Sequence, residues 1–310
     1  MITSANLTAA VLVVNYRSTD RVIDLMGDLA ASSTASSAHH VSIVDNSVDP
    51  HEFRKLSERL QPFRHRFASL SVVAAEENRG YAAGNNLAYA QVQHLAVDVV
   101  VVINPDIRIV NGDIGQAAKL TLDLKAPIVV PFTKNNNIWG DGRAAISLLS
   151  GRSRQLAADE VPSRLWLVYP GGHFFIINRS AWDRSGGLSE HFFLYSEEAD
   201  LILRLRATDT SLMPDPNLMV EHDSGGTTGS QHGQKSRVTL FHASRSSIVL
   251  FRSHRRLRWF LPSVFIARLG WVAAVTIRLG FGAGGTALRG ALDGLFGPLG
   301  PYYRRLIEQR

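Results

Sequence analysis

The segment Asp98–Ile103 constrains this chain more than any other, because it is nearly all β-branched and is the most apolar strand-like run present. Such a run predicts a strand buried on both faces, in the middle of a sheet. Similar segments precede it, each followed by a helical pattern. Ala9–Asn15 reads as a strand, with a helix from about Asp20 to Ala31. Val41–Asp45 and the helix Pro50–Leu60 follow, then the strand Ser69–Ala74 and a helix over Asn85–Leu95. Repeated strand–helix units with short connections predict a mostly parallel, three-layer α/β domain. At 310 residues the chain can bury a sizeable core, and 45% apolar with 19% charged residues excludes a disordered protein.

Beyond the sheet the pattern loosens. Lys134–Arg164 is polar and irregular and reads as a mobile loop. Strand-like runs return at Leu165–Tyr169 and His173–Ile177, then a helix from Glu197 to about Ala207, a strand at Leu218–His222 and a Gly-rich loop. No internal repeat is visible. The absence of cysteine excludes a disulfide framework, a thiolate nucleophile and Cys-ligated metal sites, and fits a reducing compartment.

Charge divides the chain. From Arg237 onward there are twelve Arg, no Lys and two acids, a net of +10 against +6 for the whole, so the preceding residues carry −4. A basic C-terminal region on an acidic body calls for an anionic partner, lipid headgroups or nucleic acid. The apolar stretch Trp259–Ile277 is interrupted by Pro262 and Arg268 and flanked by Arg252, Arg255, Arg256, Arg258 and Arg278. An Arg at the centre of a spanning helix costs about 2.5–3.5 kcal/mol. Amphipathic helices lying on an anionic membrane suit this pattern better than a span, with helices packed on the body as the bland alternative. The short apolar run Ala9–Val14 has no basic residues before it and reads as a strand, not a signal peptide. Gly280-Phe281-Gly282-Ala283-Gly284-Gly285 has dinucleotide-motif spacing, but too little chain follows for a βαβ unit, and it reads as a flexible tail.

In open α/β sheets ligands bind beyond the carboxyl ends of the strands. Three strand ends here are polar: Asn15, Asp45-Asn46-Ser47 and Asn104-Pro105-Asp106. Any one is compatible with a plain turn, whereas three on one edge point to a site. Glu77-Asn78-Arg79-Gly80-Tyr81-Ala82-Ala83-Gly84-Asn85-Asn86 follows the third strand and opens a helix. Its glycines permit close backbone approach to a ligand, and a helix N-terminus favours an anion such as a diphosphate. An ordinary Asn-capped loop would look similar.

These segments, with Phe192-Phe193-Leu194-Tyr195-Ser196-Glu197-Glu198-Ala199-Asp200-Leu201, Gly171–Arg179 before it and His222 behind, resemble glycosyltransferase family 2 in content and order. The resemblance covers roughly residues 9–250 and is greatest to bacterial rhamnosyltransferases acting on lipid-linked or polysaccharide acceptors. It implies a GT-A fold over residues 1–236, with a nucleotide-sugar half to about 110, an acceptor half from 111, and an Arg-rich helical tail over 237–310. It implies an inverting mechanism in which Asp45 holds the nucleobase beside Asn15. Asn78, Arg79, Gly80, Gly84 and Asn85 would border the nucleotide sugar. Asp106 matches the last acid of the family's D-x-D motif, whose first acid is replaced by Asn104 here. A hard divalent cation, Mg²⁺ or Mn²⁺, would be held by Asp106 and by His222, which could instead contact diphosphate. Gly171, Gly172 and Asp200 would lie on the acceptor side.

Inversion needs a base for the acceptor hydroxyl. Position matching assigns it to Glu198, with Glu197 the alternative; both, with Asp200, would otherwise simply offset a helix dipole, and Asp200 and Arg204 are spaced for a salt bridge. The implied donor is a dTDP-sugar, most simply dTDP-L-rhamnose, with a UDP-sugar as the alternative, and the implied acceptor is a polyprenyl-diphosphate-linked or polysaccharide glycan. The place of action would be the inner face of the cell membrane, in the cytoplasm. A nucleotidyltransferase would need a basic Gly-rich loop early in the chain, where Asn15–Asp20 lacks that character. A non-enzymatic adaptor working through the tail leaves the acidic pair unexplained, and the tail contains no nucleic-acid-binding module.

Overall fold

A computed structural model describes residues 7–32, 38–123, 126–135, 137–205, 212–223 and 236–300. The expected parallel sheet is formed by β1 (Thr8–Asn15), β2 (Ala38–Asp45), β3 (Ser69–Ala74) and β4 (Val99–Ile103) in the order β3-β2-β1-β4. Helices α1 (Thr19–Ser32), α2 (Pro50–Leu60) and α3 (Tyr81–Val92) connect them. The start of α2 is locally dictated: Pro50 supplies a helical φ and the Asp49 carboxylate accepts from the His51 N–H at 2.9 Å.

β4 is buried along its whole length, as its composition requires. Val99, Val101 and Ile103 face a layer that includes α1, α2 and α4 (Ile114–Asp123). Val100 and Val102 face a second layer with α3, α5 (Arg179–Ser185) and α6 (Glu197–Leu205). Period-two alternation along one strand thus divides the core into two apolar clusters, which makes the three layers.

Past β4 the sheet changes direction. β10 (Phe174–Asn178) runs antiparallel to β4 and to β6 (Ile128–Asn135). β11 (Leu212–His222) is parallel to β6 and antiparallel to β5 (Ile107–Asn111). β7 (Ile138–Ser147) hangs from β6 and carries β8 (Ser153–Ala157) and β9 (Trp166–Pro170), all antiparallel. The stretch 134–164, expected as a mobile loop, is therefore largely strand. Its glycines make this possible. Gly142 has φ 75°, and a Cβ there would lie 2.1 Å from the Pro131 carbonyl oxygen, so β7 can pass this close to β6 only without a side chain, at the point where its register against β8 shifts.

The C-terminal region is helical: α7 (Arg237–Ser253), α8 (Leu261–Leu279) and α9 (Phe281–Phe296). Gly280, at φ 88°, turns the chain between α8 and α9, and Gly280–Gly285 opens α9 instead of forming a flexible tail. Val249, Leu250 and Phe251 of α7, with Leu257 and Val264, belong to the same apolar cluster as α3 and α6.

Candidate active site

The parallel strands end together, and their register builds one wall of the site. Asn15 pairs with Asp45 across β1 and β2. Asn15 Nδ2 donates to Asp45 Oδ1 at 3.0 Å, and the Ser47 hydroxyl donates to the same oxygen at 2.6 Å. The Asn15 amide oxygen accepts from both the N–H (3.1 Å) and hydroxyl (2.9 Å) of Ser18. Asp45 is thereby held rigidly at the sheet edge, buried among polar partners.

The loop after β3 behaves differently from expectation. Helix α3 begins at Tyr81 rather than Asn85. Gly80 has φ 94°, and a Cβ on it would meet the Phe193 carbonyl oxygen at 2.3 Å; one on Gly84 would meet the Val14 methyls at 2.9 Å. These glycines let α3 close against β1 and against the segment leading to α6, so their close approach is to protein. The first N–H of α3, on Tyr81, is taken by Phe193 O at 2.9 Å. Asn78 and Asn85 bond within the loop and helix, to Gly80 N and Tyr81 O. Arg79 and Asn86 both reach Glu190, at 2.6 and 3.1 Å. A cavity of about 490 Å³, bordered by Asn46, Ala75, Glu77, Arg79, Asn86 and Glu190, opens beside this loop, within the usual range for small-ligand sites.

Antiparallel pairing brings in the next group. His222 stands opposite Ile107 in β5 and beside Asn135 in β6, which carries its ring to Asp106: Nε2 lies 3.6 Å from Asp106 Oδ1. Its Nδ1 lies 2.8 Å from Asn135 Oδ1. An amide oxygen only accepts, so that contact places a proton on Nδ1 and points Nε2 at the carboxylate, the nitrogen that could ligate a metal in the neutral ring. His173, next to β10, stacks on His222 with ring centroids 4.7 Å apart and bonds Thr133 Oγ1 at 2.8 Å. Burial, then the neighbouring His222, lowers its pKa to about 3, so it stays neutral. Asn104 is fixed through its backbone, its N–H donating to His173 O at 2.9 Å. Arg21 of α1 bonds Asp223 at 2.6 Å and stands 4.0 Å from Asp106.

A carboxylate oxygen and an imidazole lone pair converging at this spacing fit a divalent cation as donors. Among the described residues no group of three or more His, Asp or Glu converges, so these two would supply part of a shell to be completed by ligand oxygens. Gly225 and Gly226, expected next to His222, lie outside the described residues.

The acidic pair opens α6. Tyr195 and Ser196, immediately before it, both have positive φ, 72° and 75°, a conformation that costs non-glycine residues about 1–3 kcal/mol each. Glu197 and Glu198 are only 1% and 6% exposed. Desolvation raises the Glu198 carboxyl to about 7, and raises Glu197 well above the carboxylate range with the Glu198 charge adding to it. Glu197 Oε1 has no hydrogen-bond partner among the described residues. The Glu198 carboxyl lies directly over Gly172, where a Cβ would meet Oε1 at 2.2 Å. Gly172 O accepts from the Tyr81 hydroxyl at 2.6 Å. Gly171 is held by its N–H to Gly142 O at 2.8 Å. Thus Glu198, Gly172, His173, His222 and Asp106 form a continuous series of neighbours.

Asp200 is not brought to this series. Its Oδ2 accepts from Arg204 at 2.6 Å and its Oδ1 faces His254 Nε2 at 2.8 Å, which anchors α6 to α7. Sequence reasoning missed His173, Asn135, Arg21 and Tyr81. None has a local signal, since all four arrive through long-range pairing.

No family model matches the chain. Three curated relatives do, two of them one enzyme from two strains of the same organism. The low-salt glycan biosynthesis hexosyltransferase Agl10 of Haloferax volcanii is 24% identical over 66% of this chain and 63% of its own length. The N-acetylglucosaminyl-diphospho-decaprenol L-rhamnosyltransferase of Mycobacterium tuberculosis is 22% identical over 63% of this chain and 70% of its own. The chain therefore spans just under two thirds of the first relative. Among solved structures, the mannosyltransferase of Pyrobaculum calidifontis in complex with GDP-Man and Mn²⁺ superposes with a TM-score of 0.52 at 12% identity, covering 93% of this chain and 87% of that one. S. aureus TarS 1–349 gives 0.55 at 14% identity, over 94% and 81%. These likenesses give the chain a GT-A-type fold.

Proposed function

We propose that this protein is an inverting glycosyltransferase that moves a sugar from a nucleotide diphosphate donor to a lipid-linked or cell-envelope glycan. The observation carrying the proposal is Glu198: a buried carboxyl with its pKa near 7, aimed over Gly172 by a strained turn and contiguous with the Asp106–His222 pair. A base titrating near working pH is what proton removal from an acceptor hydroxyl requires. In the proposed step the acceptor oxygen bonds the anomeric carbon from the face opposite the diphosphate. The carbon–diphosphate bond breaks with its electron pair leaving on the diphosphate, and the hydroxyl proton passes to Glu198. Asp45 and Asn15 would hold the nucleobase, and Asn78–Asn86 would border the nucleotide sugar. Asp106 and His222 would hold Mg²⁺ or Mn²⁺, which when bound supplies neutralisation of the leaving diphosphate. Gly171 and Gly172 would line the acceptor side.

The finer assignment is dTDP-L-rhamnose as donor and a polyprenyl-diphosphate-linked glycan as acceptor, met at the inner membrane face through the Arg-rich C-terminal region. The rhamnosyltransferase relative and the hexosyltransferase relative support it by their names. Calorimetric titration with dTDP and with UDP, each with and without Mn²⁺, is the test. Metal-dependent preference for dTDP is expected. Preference for UDP would keep the mechanism and overturn the rhamnose assignment, and binding of neither would overturn the transferase reading.

A further inference from the structure

Helices α8 and α9 are built inside out. The inward positions of α8 are Val264, Arg268, Val272 and Val275. Its one mid-helix charge, Arg268, is buried, donating from Nη2 to Gly151 O at 3.0 Å and lying 5.2 Å from the Trp271 ring centroid. The outward positions include Ile266, Leu269 and Ile277, the last 85% exposed, and the ends present Trp259 and Phe281, 88% and 90% exposed. Helix α9 repeats the inversion. Gly284, Ala287, Gly290, Ala291 and Gly294 face inward, and a Cβ on Gly290 would lie 2.2 Å from Phe241 O. Leu288, Leu292 and Phe296 face out. Small residues inside and large apolar ones outside characterise helices whose surroundings are themselves apolar, and water-soluble proteins rarely show so continuous an apolar face.

Charge narrows the occupant. Arg255, Arg256 and Arg258 precede α8, and Arg278 and Arg289 border the apolar face; all five are exposed and make no ion pair among the described residues. The only acid between Arg237 and Gly300, Asp293, is engaged by Arg245 at 2.6 Å. A second copy would bring these unpaired cations together across a two-fold axis. An anionic lipid surface would neutralise them. Arg258–Leu279 is long and apolar enough to cross a bilayer by length and composition, but its inner face is committed to the body through Val264 and Arg268, which a lone crossing helix would have to give up.

We propose that α8 and α9 form a hairpin embedded in one leaflet of an anionic membrane, with Ile266, Ile277, Phe281, Leu292 and Phe296 in the acyl region and Arg255, Arg256 and Arg258 at the headgroups. The inference rests on the membrane placement proposed above and replaces electrostatic attraction by insertion as the holding force. Its test uses the full chain and sedimented vesicles of phosphatidylcholine with and without phosphatidylglycerol. Wild-type protein binds the anionic vesicles and stays bound in high salt, and brominated acyl chains quench Trp259 emission, a change absent from Trp259→Phe. Ile277→Asn with Phe281→Asn weakens vesicle binding by about tenfold or more, whereas Arg255→Gln with Arg256→Gln reduces only the preference for phosphatidylglycerol-containing over neutral vesicles. Both variants alter exposed positions and keep wild-type dTDP affinity, so failure of docking is read separately from failure of the transferase reading. Three results overturn the proposal: complete release by salt, unchanged binding of the Asn variant, or a dimer that this variant dissociates while vesicles bind neither protein.

Discussion

At the scale of single residues, Glu198 has two measurable consequences. Replacing it by Gln removes the proposed base and should lower turnover by about 10²–10⁴-fold while leaving donor affinity unchanged. Wild-type turnover in that variant would move the role to Glu197. In the wild type, kcat/KM should rise with pH around a midpoint near 7, because the base works only when ionised. The same shift acts on stability with the opposite sign. A carboxyl whose pKa is higher folded than unfolded binds its proton more tightly in the folded state, so stability falls as pH rises from the unfolded value toward about 7. E198Q should therefore match wild type at pH near 4 and exceed it at pH 8, by roughly 1–3 kcal/mol in denaturant titrations. Equal stability at both would show that the carboxyl is not desolvated. For the metal pair, Asp106→Asn or His222→Ala should abolish the Mn²⁺ dependence of nucleotide binding in calorimetry; an unchanged metal titration in either would remove that residue from the shell.

At the scale of elements, the glycines decide geometry. Gly172→Ala puts a methyl where the Glu198 carboxyl lies. A flexible side-chain end can move, so the fold should survive with little change in Tm while turnover falls by tenfold or more, since about 1 Å of misplacement costs on the order of 10² in rate. Wild-type turnover in Gly172→Ala would mean that the carboxyl has a second productive position. Gly80→Ala is different in kind, since the new Cβ meets backbone at Phe193 and adopts φ 94°; it should lower stability outright. The elements also show why some structure is legible in the residues and some is not. Helix α2 is readable to the residue because Asp49-Pro50 starts it locally, and β4 because five β-branched residues admit no other use. Strands β7 and β8 are not, because Gly140, Asp141 and Gly142 carry turn chemistry into an antiparallel register shift between β7 and β8 that no local pattern encodes. The site divides the same way. Asp45, Asp106 and Glu198 are visible as polar residues at element ends, whereas His173 and Asn135 reach His222 only through antiparallel and parallel registers that no local pattern encodes.

At the scale of the molecule, α7 joins what looked like a tail to the α/β body. Fully buried Arg245 donates to Asp293 of α9 at 2.6 Å and to His191 O at 2.8 Å, and Ser246 donates to Leu194 O at 2.6 Å. These bonds hold the segment whose strained end aims Glu198. Ending the chain after Ser253 removes Leu257, Val264 and the whole of α9, stripping Arg245 of its carboxylate and of the Gly290–Gly294 face packed on α7, a loss of several kcal/mol. The truncated protein should melt about 10 °C or more below the full chain; an equal Tm would show that the body is autonomous. This wiring also orders events during synthesis. The strands, Asp106, His222 and the acidic pair have all left the ribosome before Asp293 is translated, yet Arg245, which holds the segment ahead of Glu198 through His191 O, lacks its carboxylate until then. A nascent chain would carry these groups while that holding contact is still incomplete, and the hairpin proposed above to lie in a membrane is the same piece of chain that completes it.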